Sequence, residues 1–119
     1  MGNEKWHPFD KGSSLGTVGS ESAKIIYDIE HLEGARISLE KNTQITPYAV
    51  TLGIYGLLFH THFAKTEEAA MQFVELSKNK IEEIFLHLET PEEKQDAKWN
   101  EEYDKLKNQL CEIDDVTKK

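Results

Sequence analysis

Two histidines, His60 and His62, sit two residues apart in the apolar run "GIYGLLFHTHF" (53–63). Imidazoles at i and i+2 of a strand point to the same side and can ligate one metal ion. Zinc needs three or four ligands, with one position left open for catalysis. Further donors could come from His31, Asp28, Glu30 and Glu40, but no second His or Cys pair stands at a tight spacing. The plainer reading makes His60 and His62 half-exposed polar residues on the wet face of a one-sided sheet. On that reading they bind no metal and the chain carries no cofactor. A metal-dependent or ligand-binding role for the pair is the alternative.

The same face would carry more charge. Asp28 and Glu30 alternate against Ile25, Tyr27 and Ile29, while Arg36, Ser38 and Glu40 alternate against Ile37 and Leu39. Together with His60 and His62 they form a mixed-charge candidate surface. Arg36 beside Glu30 or Glu40 reads as a cross-strand ion pair, worth little if exposed. Parity places Tyr55, Leu57, Phe59, Thr61 and Phe63 on the other side, and their bulk makes that side the expected packing face for a helix.

The elements that position these residues follow from periodicity. "AKIIYDIEHLEGARISLEKN" (23–42) fits a helical face ended by Gly34, or a hairpin turning at 32–34 with Gly34 at positive φ; its second half alternates cleanly, which favours the hairpin. "YAVTLGIYGLLFHTHFA" (48–64) is too long for one usual strand, so it breaks at Gly53–Gly56 into a second hairpin or bends there. Strands are expected at 35–41 and 57–63. Residues 66–89 form the clearest helix, with Thr66 as N-cap and Phe73, Val74, Ser77, Ile81, Ile84, Phe85 and Leu88 along one face. "TPEE" (90–93) reads as a restart with Thr90 capping and Pro91 leading a helix over 91–113. Its seam runs Trp99, Tyr103, Leu106, Leu110, Ile113.

The expected fold class is therefore α+β: a small antiparallel sheet of about four strands in two hairpins, then two helices, the first packed on one sheet face. Residues 1–22 read as a flexible N-terminal segment, 23–113 as a single domain and 114–119 as a C-terminal tail.

Totals bound the partners. The chain has 119 residues, 38% hydrophobic and 30% charged, with a formal net charge of −8. Its Lys and Arg are dispersed among Glu, so nucleic acid is not an expected partner. A basic protein would be a compatible one. Cys111 is the single cysteine, so an intrachain disulfide is excluded. No apolar run suits a membrane span, and "MGNEKWHPFD" has neither a signal-peptide core nor the Ser or Thr that N-myristoylation wants at position 6. The expectation is a cytoplasmic protein. "GSSLGTVGS" is no phosphate loop, and the serine-hydrolase, zinc-protease and C-x-x-C signatures are absent.

"GARISLEK" (34–41), "YAVTLGIYGLLFHTHF" (48–63) and the acidic helix after them resemble a group of short uncharacterised bacterial proteins. These share a Gly-Ala-Arg-hydrophobic-Ser/Thr-Leu-Glu stretch, a Gly-Ile-Tyr-Gly stretch and a following His-Thr. The resemblance covers about residues 28–89 and implies a small cytosolic protein with no assigned activity. It draws attention to Gly34, Arg36, Gly53, Gly56 and His60, and leaves His62 outside the shared pattern. The expected function is a non-enzymatic protein-interaction or self-associating module, a homodimer driven by the 99–113 seam. The alternative is a small ligand-binding protein or metal-dependent enzyme using His60 and His62.

Overall fold

The computed structural model describes residues 5–111. Five strands, β1 (Trp6–Pro8), β2 (Lys24–His31), β3 (Ala35–Lys41), β4 (Tyr48–Ile54) and β5 (Leu58–Ala64), precede helices α1 (Glu67–Leu88) and α2 (Ala97–Cys111). The strands form one antiparallel sheet in chain order. The α+β class and both hairpins are as expected; the strand count rises from about four to five because β1 adds an edge. Gly34 (φ 108) and Gly56 (φ 75) take the left-handed conformations that close the two hairpin turns. Leu57 N–H bonds the Ile54 carbonyl, so Gly56 holds the third position of a type II turn.

α1 starts where the sequence places it. Thr66 is its N-cap, its hydroxyl accepting from Ala69 N–H at 3.1 Å. The apolar stripe packs on β3, β4 and β5, and Phe73, Val74, Ile81 and Ile84 are at most 1% exposed. Against it the sheet presents Ile37, Leu39, Val50 and Leu52, equally buried. Burying such a side chain stabilises the fold by about 1.5–3 kcal/mol.

The second helix begins later than expected. Thr90 does not cap a new helix; its hydroxyl donates back to the His87 carbonyl at 2.8 Å and closes α1. Glu92–Lys94 forms a single 3-10 turn, and the carboxylate of Asp96 accepts Trp99 N–H at the start of α2. The seam then lies against α1: Trp99 stacks on His87 at 4.6 Å, Leu106 packs against the core and Leu110 is fully buried. Its expected last member, Ile113, lies outside the described residues, as does the tail.

The lead was expected as a flexible segment outside the domain. Instead, residues 6–8 pair with β2, Trp6 is buried, and residues 9–23 turn across the sheet face opposite the helices. A bulge between Ile25 and Tyr27 turns Ile25 toward that second face as well.

Candidate functional site

The largest correction concerns the two histidines. They share a face, as parity requires, but it is the face covered by helices. The β4–β5 register pairs Leu52 with His60 and Val50 with His62, which puts both imidazoles in the aliphatic layer. His62 is 7% exposed and lies flat on Phe73, with centroids 4.9 Å apart and planes 8° apart. Its Nε2–H donates to the Leu110 carbonyl at 3.4 Å, tying β5 to the end of α2. His60 packs edge-on to it at 4.5 Å. Among the described residues no group of three or more His, Cys, Asp or Glu could hold a metal ion.

Burial, and then the neighbouring His60, push His62 below its ordinary value of 6.5. Unfolding restores that value. As the pH falls through 6.5 toward the folded value, the unfolded chain takes up a proton that the folded chain resists, so stability is lost on acidification in that window. The melting temperature should therefore fall as the pH drops from about 7 to about 5.5, and His62→Phe, which keeps the stack on Phe73, should flatten that slope. An unchanged slope would show that other groups carry it.

The remaining candidates, Asp28, Glu30, Arg36, Ser38 and Glu40, do come together on the second face. Arg36 does not pair with Glu30 directly opposite, nor with Glu40. Its Nε and Nη2 both donate to Asp28, at 2.9 and 2.6 Å. The Asp28 side chain is fully buried and also accepts from the Ser14 hydroxyl at 2.8 Å. The Phe9 ring lies 3.6 Å from the guanidinium carbon. The pair raises the Arg36 pKa, chiefly through the hydrogen bond to Asp28.

Glu40 is fully buried and holds the lead down. It accepts the backbone N–H of Glu21 and of Ala23, at 3.0 and 3.2 Å. Gly19 passes so close that a Cβ there would lie 2.6 Å from the carboxyl carbon. Glu30 takes Tyr55 Oη–H at 2.5 Å, and burial together with this bond pushes the Tyr55 pKa up to about 12.

Between the lead and the β4–β5 turn the second face sinks into a recess of ≈ 390 Å³. Arg36, Ser38, Thr51 and Gly53 line it, with Tyr55 and Phe59 on its rim. This volume lies within the range of small-ligand clefts. Phe59 and Tyr55 are 72% and 54% exposed. The periodicity that grouped Tyr55 and Phe59 as core residues held no sign of this.

No family model, curated protein or solved structure matches the chain. No helix among the described residues is long and apolar enough to cross a membrane.

Proposed function

We propose that the chain is a non-enzymatic interaction module that associates with a second copy of itself through β5. The observation that carries this reading is the unprotected edge. β5 is the terminal strand of the sheet, seven residues long, and holds no Pro, Lys, Arg, Asp or Glu. Native edges are usually blunted by such residues. The other edge is blunted: β1 has three residues and ends at Pro8.

The sequence of β5 is also self-complementary. Antiparallel pairing of two copies about a twofold axis at Thr61 sets Phe59 opposite Phe63 of the second copy, and His60 opposite His62. Cross-strand aromatic pairs stabilise such a ladder, and this one would cover the exposed Phe59. A closed twofold arrangement is the commonest form of small homo-oligomer. The described part of the seam expected to drive association, Trp99 to Leu110, is already engaged by α1.

Light scattering at micromolar concentration should give twice the mass of one chain. Thr61→Lys puts two ammonium groups opposite each other at the axis and should yield a folded monomer. A monomeric wild type, or a Thr61→Lys protein that still dimerises, rejects the reading.

A further inference from the structure

We infer that the recess over Gly53 is a binding site for a flat, uncharged ring bearing a carbonyl acceptor. The argument starts from the row of residues across the second face. Register sets Arg36 beside Gly53 and Gly53 beside Phe59. The middle place in this row has no side chain, and that gap is the floor of the recess.

Nothing in the backbone demands the glycine. Gly53 is not among the residues at positive φ, and β4 pairs in unbroken register with both neighbours. A Cβ at this position would meet the Leu58 carbonyl at 3.4 Å and Phe59 Cδ2 at 3.5 Å, which are ordinary contacts. A glycine inside a strand weakens it and often marks a bulge, a bend or close approach of a ligand or another backbone; β4 has no bulge at this point. Here the approaching group has open space ready for it.

The surroundings define the chemistry. A peptide plane without a side chain offers a flat floor. The exposed Phe59 and Tyr55 stand at the rim, and the buried Ser38 and Thr51 line the inner side. Arg36 is the one formal charge among the lining residues. Its Nε and Nη2 are committed to Asp28, and Nη1 makes no hydrogen bond to the described residues. The Arg36–Asp28 pair is neutral as a unit, and the Glu30 carboxylate lies just beyond, on Tyr55. A full anion therefore gains little here, whereas a neutral carbonyl can accept from Nη1 while its ring lies on Gly53.

The test is an amide-resolved NMR titration with benzamide, cyclohexanecarboxamide and benzoate. Benzamide should shift the Arg36, Gly53 and Phe59 amides saturably in the millimolar range, as a ligand of that size allows. Cyclohexanecarboxamide has the same carbonyl without the flat ring and should bind more weakly, as should benzoate. Gly53→Val fills the floor and should weaken benzamide about tenfold. If that variant does not fold, Phe59→Ala decides: the residue is exposed, and its loss should weaken binding about threefold. The recess lies within one chain, although Phe59 also belongs to the proposed dimer ladder, so monomeric Thr61→Lys protein should still bind benzamide saturably. No shift with benzamide, equal affinity in a folded Gly53→Val protein, equal affinity in Phe59→Ala where that variant decides, or binding of either comparison compound as tight as benzamide overturns the inference.

Discussion

Replacing His31 with alanine should remove about 3 kcal/mol of stability, the range for emptying a buried aromatic site, and lower the melting temperature by on the order of 10 °C. His31 is 1% exposed, between the edge of Trp6 at 4.8 Å and the Phe85 ring at 4.8 Å. Its protonation pattern is fixed by its partners. Nδ1 accepts Glu33 N–H at 3.0 Å, so the proton is on Nε2, which donates to Glu82 at 2.8 Å. The ring thus joins β1, β2 and α1. Glu82 is 28% exposed and can turn to water when its partner is lost, so the cavity dominates the cost. His31→Phe, which refills the space and gives up both polar contacts, should cost about 1 kcal/mol. Urea denaturation separates the two. Equal losses for Ala and Phe would assign the stability to the polar contacts instead.

The Arg36–Asp28 pair should respond asymmetrically. Arg36→Met leaves a carboxylate with no exposed surface and only Ser14 beside it, and should cost about 3 kcal/mol at neutral pH. Asp28→Asn leaves a guanidinium that is 34% exposed and can reach water, and should cost about 1 kcal/mol. The double substitution completes the cycle. Equal costs for the two single changes would mean that the pair behaves as an exposed surface contact.

Local signals located most elements. β3 spans the expected 35–41, β5 is displaced by one residue from 57–63, and α1 lies within 66–89. Strong period-two and period-3.6 patterns carried those. Parity also grouped His60 with His62, but it says which residues share a face, not which face is covered. The bulk of Tyr55, Phe59 and Phe63 pointed the wrong way. The deciding signal lay in the hairpin register, which sets both histidines against Val50 and Leu52. The lead was illegible for another reason. Its attachment relies on backbone N–H groups donated to Glu40 and on Phe9 over Arg36, contacts between distant residues that leave no periodic trace. The Asp28 partner of Arg36 was hidden because it lies on the diagonal rather than directly opposite.

Placement of the two tryptophans gives the chain a pair of built-in optical reporters. Trp6 is in the first strand, buried, its indole N–H without a hydrogen-bond acceptor among the described residues. Trp99 is in the last helix, its indole N–H bonded to the His87 carbonyl and its ring stacked on the His87 imidazole. One emission spectrum therefore combines an apolar indole at the sheet edge with a polar, stacked one where the helices join. Substituting either leaves a single indole that watches one end of the fold.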